Sequence, residues 1–325
     1  HISMKEAISD IEDDEDRQYF MDTVSFPLFV GGRFEEFHIW TGDGANGKGV
    51  LSTLLHRAYD NYFLMGTNTF LTENIQGGRP NPILAECKGK KIVMVSEPQK
   101  DDKGSCKFNI NSIKSYTGGE PITARGLFQD PVTFFPKFQL FCQTNIIPEI
   151  DNLDNANKRR IQILELKQRF VFNPTQPNER PIDTGLKQRL QNPKYFQNFM
   201  LMMIKNTKGR YDIKEIPKPP SVRKFTEEYF EDCNSMGEWF NSNYEVVDEK
   251  YKKLYFIKFV SLWNCFKTSD EYNNCKKNEF KYNLVSLGLI KERNQSRGTI
   301  PSGEIGVGYF GIKTKCNIDE SDELN

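Results

Sequence analysis

The sequence predicts an α/β protein built around an open parallel sheet, and three observations carry that reading. Three short β-rich runs, Phe37-His38-Ile39-Trp40-Thr41, Ile92-Val93-Met94-Val95 and Phe138-Gln139-Leu140-Phe141-Cys142, are separated by segments long enough for helices. Each run ends in glycine or polar residues, as strands do when their carboxyl ends face a ligand. The first run passes through Gly42-Asp43-Gly44-Ala45-Asn46-Gly47-Lys48 into Val50, Leu51, Leu54, Leu55 and Ala58, an apolar stripe at helical period.

From Asp10 an acidic opening leads into Tyr19, Phe20 and Val24 at helical spacing, and Pro27 stops that helix at Ser25 or Phe26. Leu28-Phe29-Val30 reads as extended and Gly31-Gly32 as a turn. The three strands follow. Beyond Lys167 comes a helical segment around Phe196, Phe199, Met200, Met203 and Ile204, then Ile216-Pro217-Lys218-Pro219-Pro220, whose prolines forbid a continuous helix. From Lys250 an aromatic helix is expected through Tyr255, Phe256, Phe259, Trp263 and Phe266, and a second near Phe280 to Leu287. A glycine-rich β end follows through Tyr309-Phe310-Gly311-Ile312, and helices followed by a small hairpin suit a winged-helix-like module. The expected division is a tag remnant (His1-Ile2-Ser3-Met4) and helical lead-in over 1–36, the α/β domain over 37–215 and a connector with a helix over 216–249. The winged-helix-like domain covers 250–318, and 319–325 is an acidic tail expected to be disordered.

The 325 residues leave room for two cored domains, and 37% hydrophobic with 27% charged residues argues against wholesale disorder. Lys and Arg number 44, as do Asp and Glu, so the total charge points to no partner. Its distribution says more: Lys250 to Arg297 holds nine Lys and two Arg against Asp270, Glu271, Glu279 and Glu292, a surface that could follow a phosphate backbone or simply be a solvated face. Seven cysteines without a CxxC pair disfavour a zinc site and a disulfide framework, so reduced intracellular thiols are expected. No run of about 18 apolar residues predicts a membrane span.

Gly42-x4-Gly47-Lys48 follows a strand and opens a helix, the context of a phosphate-binding loop. Backbone amides over Gly42, Gly44, Ala45, Asn46, Gly47, Gly49 and Val50 would wrap the β-phosphate of a nucleotide, and Lys48 would reach the β- and γ-phosphates. The competing reading is a glycine turn with an incidental lysine. Gly49 stands where such loops carry the Ser or Thr that ligates Mg²⁺, a place that water could fill. Glu97 closes the second strand where it could orient or deprotonate an attacking water, or be an exposed acid before Pro98. Asn145, after the third strand, could hydrogen-bond the γ-phosphate or that water, or merely form a turn.

Those residues, together with Lys114-x2-Thr117-Gly118-Gly119-Glu120-x4-Arg125, Phe135-Pro136-x-Phe138 and Arg159-Arg160-Ile161, resemble the superfamily 3 helicases. Within them the chain is most similar to the poxvirus-type primase-helicases of large DNA viruses and their phage relatives. The match covers 37–170 well and, through Pro217-x-Pro219-x-Ser221-Val222 and the C-terminal module, the rest more weakly. The resemblance implies an AAA+-like P-loop ATPase using ATP and Mg²⁺, a homo-hexameric ring translocating on single-stranded or forked DNA, a primase domain in the full-length chain and an intracellular viral replication site. It makes Lys48 the phosphate lysine, Glu97 the acid of the second motif and Mg²⁺ side, and Asn145 the polar sensor. Ser96 stands where the family often has a further acid. The resemblance also implies a pore hairpin over Gly118 to Phe135 with its tip at Arg125 to Pro131, where Arg125 and, before the hairpin, Lys114 are DNA contacts; a salt bridge of Arg125 to Glu120 or Asp130 competes. An arginine given to the neighbouring subunit's phosphates is best matched by Arg160, with Arg159 the near alternative.

Two other functions share parts of this set. An AAA+ ATPase for DNA packaging or remodelling would need Lys48, Glu97 and Asn145 but not Arg125. A catalytically weak nucleotide-binding scaffold would fit Gly49 and Ser96.

Overall fold

The computed structural model describes residues 13–29, 33–75, 79–98, 107–150, 155–232, 235–269, 277, 280–281, 284, 289–290, 295–299 and 305–315. The Val30-Gly31-Gly32 end of the expected turn, the acidic tail and part of the basic stretch lie outside them. Two compact units form, one of His1–Ile150 with Asn155–Tyr229, the other of Asp151–Asp154 with Phe230–Asn325.

In the first unit, α1 (Asp14–Ser25) begins where the Asp13 carboxylate accepts from the amides of Glu15 and Asp16, and three acids in its first turn complement the helix dipole. It ends before Pro27, and a single 3₁₀ turn, Phe26–Leu28, follows. Then come β1 (Phe37–Thr41), α2 (Lys48–Tyr59), β2 (Phe63–Gly66), β3 (Ile92–Ser96), α3 (Ile110–Thr117), β4 (Ile122–Ala124), β5 (Val132–Phe134), β6 (Gln139–Gln143), β7 (Ile161–Glu165), β8 (Arg169–Val171), β9 (Glu179–Pro181), α4 (Pro193–Thr207) and α5 (Pro220–Asp232).

β1, β2, β3, β6 and β7 make a parallel sheet in the order β2-β3-β6-β1-β7. Near-continuous burial along β1, β3 and β6 is what a sheet covered on both faces requires. On one side Trp40, Met94 and Phe141 pack with Phe20 of α1, Leu54 of α2 and Phe199 and Met203 of α4. Each such side chain contributes about 1.5–3 kcal/mol by leaving water. The register puts Thr41, Ser96, Gln143 and Glu165 along one edge, the carboxyl edge, and Phe37, Ile92, Gln139 and Ile161 along the other. Because β1 lies inside while its chain continues to β2 at the far edge, the fold has a switch point at β1, and the loop after β1 opens there.

The second unit carries α6 (Ser235–Asn243), β10 (Tyr244–Val246), β11 (Phe256–Lys258), α7 (Phe259–Lys267), β12 (Gln295–Thr299), β13 (Ile305–Phe310) and β14 (Ile312–Thr314). Its antiparallel sheets pair β10 with β14 and order β11-β13-β12. Trp239, Phe266 and Phe280 form its aromatic centre. Gly308 is obligatory where β13 crosses β11, because a Cβ there would lie 2.0 Å from the Ile257 carbonyl oxygen. The aromatic helix expected from Tyr255 begins only at Phe259; Phe256–Lys258 is strand, drawn into pairing with Gly308–Phe310. Residues of α5 up to Tyr229 belong to the first unit and those from Phe230 to the second, so the division falls inside the stretch read as a connector.

Candidate active site

The loop from Gly42 to Gly47 leaves β1 and turns into α2 through backbone that few residues tolerate. Gly42 has φ +135°, and a Cβ on it would sit 2.4 Å from the Leu166 carbonyl oxygen. Ala45 and Gly47 also take positive φ, +65° and +85°. The Ala45 carbonyl accepts from the Phe170 amide at 2.8 Å, and the Asn46 amide group donates to Leu166 O, so the chain after β7 holds the loop open. No side chain caps α2, and Gly44 through Val50 line the adjoining cleft. First-turn amides and the positive end of a helix dipole thus border a cavity, the arrangement that binds anions.

Lys48 starts α2 and is almost fully buried. Its ammonium donates to Gly42 O at 2.8 Å and to Asn145 Oδ1 at 2.8 Å, which joins the loop after β1 to the segment after β6. Burial lowers its pKa, opposed by the charges of Glu97 and Asp43. Glu97 follows β3 in a left-handed conformation, φ +47°, unusual for a non-glycine and frequent at functional sites. Its amide donates to Gln143 O at 2.9 Å and its Oε2 accepts from Thr144 Oγ1 at 3.4 Å. Gln143 donates from Nε2 to Ser96 Oγ at 3.0 Å, while its buried Oε1 has no protein partner and its side chain lines the cleft.

The cleft holds about 1210 Å³, more than phosphates alone would fill. Beyond the polar end its wall is Leu54, Phe170, Ile182, Tyr195 and Phe199, an apolar end with the character of a small-molecule pocket. Lys187 and Arg189 also line it, Arg189 ion-paired with Asp183.

Arg159 and Arg160 lie at the other end of the sheet. They precede β7, whose first residue pairs with Phe37, and the Phe37 amide donates to Arg160 O. The length of β1, roughly 15 Å at 3.3 Å per residue, separates them from their own subunit's glycine loop. Arg159 is 66% exposed and Arg160 11%, and both face Glu35, at 3.7 and 3.5 Å. Arg160 also donates to Ala156 O at 2.7 Å.

A model of a family of unknown function, DUF5906, matches residues 40–160. Over 73% of the chain, a protein named as a helicase in Acanthamoeba polyphaga mimivirus is 28% identical, and over 96% a protein so named in Invertebrate iridescent virus 3 is 27% identical. Primase D5 of Fowlpox virus is 27% identical over 66% of the chain. The chain is similar to helicase and primase proteins of large DNA viruses. It spans 25%, 34% and 28% of the lengths of these three relatives. The family match opens one residue before the end of β1 and closes at Arg160, so it takes in the glycine loop, Glu97, Asn145 and both arginines.

Of the sequence-derived residues, Gly44 to Val50, Glu97 and Asn145 meet in one cleft, Gly42 adjoins it by accepting from Lys48, and Arg159 and Arg160 do not join it. β4 and β5 form the expected antiparallel hairpin. Arg125 sits half-buried at the root of its loop, its carbonyl accepting from the Asn81 amide at 2.8 Å, while Leu127 and Phe128 form the turn. Lys114 is half-buried in the last turn of α3. Gln143 escaped sequence reading because a glutamine ending a strand has no motif of its own; its place beside Asn145 was the available signal. Lys187 and Arg189 had none, since only folding brings the segment after β9 over the cleft.

Among the described residues no group of three His, Cys, Asp or Glu could hold a metal, and no helix is long and apolar enough to cross a membrane.

Proposed function

We propose that the chain is the ATP-hydrolysing motor of a superfamily 3-type, AAA+-like helicase that translocates on single-stranded DNA during viral genome replication, assembled as a homo-hexamer. The observation that carries this is the convergence of Lys48, Asn145 and Glu97 on the anion-binding loop at the sheet's switch point. Similarity to viral proteins named helicase and primase supports the substrate and the link to a primase.

Lys48 neutralises the β- and γ-phosphates, the loop amides cradle them, and the apolar end of the cleft takes the nucleoside. Asn145 hydrogen-bonds the γ-phosphate, and Glu97 orients the attacking water and takes its proton. The donors present fit a Mg²⁺ carried chiefly by phosphate oxygens and water: Glu97 would supply one carboxylate, and Gly49 nothing. Bound there, Mg²⁺ would neutralise charge between the phosphates. The arginine pair serves a neighbouring subunit, because the sheet's length keeps it from its own loop. Arg159, being exposed, is the better finger, and Arg160 holds the turn through Ala156 O.

The test is unwinding of a tailed duplex together with ATP turnover. Wild-type chain should do both, and Glu97→Gln should bind nucleotide and do neither. Hydrolysis without unwinding favours a packaging or remodelling ATPase, and binding without hydrolysis a scaffold.

A further inference from the structure

We propose that Gln143 is a second acceptor for the water that attacks ATP, holding one of its protons while Glu97 takes the other, an inference that rests on the ATPase reading above. Gln143 ends β6, the strand between β1 and β3, and is more than nine-tenths buried. Its backbone is fixed from both sides: it lies opposite Trp40 and Ser96 in the sheet, and its carbonyl accepts from the Glu97 amide at 2.9 Å. The side chain is held as well. Nε2 donates to Ser96 Oγ at 3.0 Å, which leaves Oε1 as the amide atom for the cleft that the residue lines. That oxygen is buried and has no hydrogen-bond partner among the described residues. A buried acceptor without a donor costs stability, and leucine or methionine would fill a similar volume without that cost. The sheet therefore does not call for a glutamine at this position.

The neighbouring residues say what that oxygen meets. Over three consecutive positions Gln143 lines the cleft, Thr144 donates to Glu97 Oε2 at 3.4 Å and Asn145 accepts from the Lys48 ammonium at 2.8 Å. Gln143 thus adjoins both the base and the residue assigned to the γ-phosphate. A water ready to attack carries two protons and must turn a lone pair toward phosphorus. Glu97 accepts one proton; without a second acceptor the water rotates about that single bond and its lone pair is not aimed. Asn145 Oδ1 is already committed to Lys48. A further carboxylate would add negative charge beside the phosphates, whereas an amide oxygen accepts without charge. In the step itself the water oxygen bonds to the γ-phosphorus as the bond to the β–γ bridging oxygen breaks, and ADP leaves with that electron pair. One water proton passes to Glu97, and the other stays on the new phosphate, hydrogen-bonded to Gln143 Oε1.

Calorimetry on the full chain with Mg²⁺ and two complexes separates this role from nucleotide binding. ADP with beryllium fluoride copies the nucleotide before attack, and ADP with aluminium fluoride copies the transferring phosphoryl group with the water in line. Gln143→Leu should bind the first within about twofold of wild type and the second at least about tenfold more weakly, because only a transition-state interaction is lost. Its kcat should fall by at least about tenfold with KM nearly unchanged. Its melting temperature should not fall, since an unpaired buried acceptor has been removed. If Gln143→Leu does not fold, Gln143→Met, which keeps the length of the side chain and lacks the amide, gives the same comparison. Equal weakening of both complexes overturns the assignment and makes Gln143 a nucleotide- or Mg²⁺-binding residue. Unchanged kcat and unchanged affinity for the aluminium fluoride complex overturn it in favour of a structural glutamine. Failure of wild-type chain to bind either complex would instead remove the ATPase reading itself.

Discussion

Lys48 is held by two acceptors, Gly42 O and Asn145 Oδ1, so its ammonium is fixed in place at the cleft. Lys48→Ala should abolish steady-state ATP turnover, since positioning and charge neutralisation make up most of phosphoryl-transfer catalysis. Retained turnover in that variant would move the site elsewhere. Gly49 is a second test at this scale: nothing lies within 4 Å of a Cβ built on it, so Gly49→Ser is accommodated freely and improves helix propensity by a few tenths of a kcal/mol. With a hydroxyl restored, half-saturation of ATP turnover should need less Mg²⁺; an unchanged Mg²⁺ titration would show that the position does not face the metal. His38 gives a pH signature. Fully buried beside Phe141, with Nδ1 3.2 Å from Tyr19 Oη and Nε2 3.7 Å from Glu36 Oε2, it is pushed down to about 3, first by burial and then by the charge of Lys218. Between about 3 and 6.5 the unfolded imidazole binds a proton that the folded one refuses. Stability therefore falls as pH drops through that window, by about 1.4 kcal/mol per pH unit. Glu36 acts in the opposite sense, its pKa raised by burial, so it stabilises on acidification. Urea unfolding at pH 6.5 and 5 should show His38→Phe losing about 2 kcal/mol less than wild type; equal losses would mean that His38 is protonated in the fold.

At the scale of elements, α1 is fastened to the end of α4 by charge as well as by packing. Asp22, nearly fully buried, accepts two 2.7 Å bonds from Arg210 and one of 2.8 Å from Asn206. Asp22→Ala should lower unfolding free energy by about 3 kcal/mol, because it strands a partly buried guanidinium; a change below about 1 kcal/mol would show that packing alone seats α1. Such elements were legible where local rules decide. Pro27 ended α1, and the apolar runs marked β1 and β3 to within a residue. They were illegible where a distant partner decides. Tyr255 and Phe256 fit a helical period, yet Phe256 becomes strand by pairing with Phe310, more than fifty residues away. In the hairpin, Arg125 directly follows β4 and the apolar Leu127-Phe128 stand two residues further along the same loop, exposed. The arginine pair was visible as a motif, but only the register of β7 on β1 shows it at the edge away from the glycine loop. No spacing foretold that Arg160 would be spent on Ala156 O and Arg159 left exposed.

For the whole molecule, the decisive feature is that the Lys48 cleft and the Arg159-Arg160 pair lie at opposite ends of the sheet, and the proposed motor would join them as parts of one reaction between subunits. In the proposed assembly the Lys48-Glu97-Asn145 set lies at the opposite end of the sheet from Arg159 and Arg160, which would serve another copy. A guanidinium supplied in trans is worth about 10³ or more in rate, so turnover per chain should rise steeply with protein concentration as rings form. The most direct measurement mixes two inactive variants, Lys48→Ala and Arg159→Ala with Arg160→Ala, under conditions where mixed assemblies form. Each alone should be inactive, and the mixture should recover part of the ATPase activity, at interfaces that pair an intact phosphate site with an intact arginine pair. A mixture that stays inactive although mixed assemblies are present would contradict a site shared between subunits.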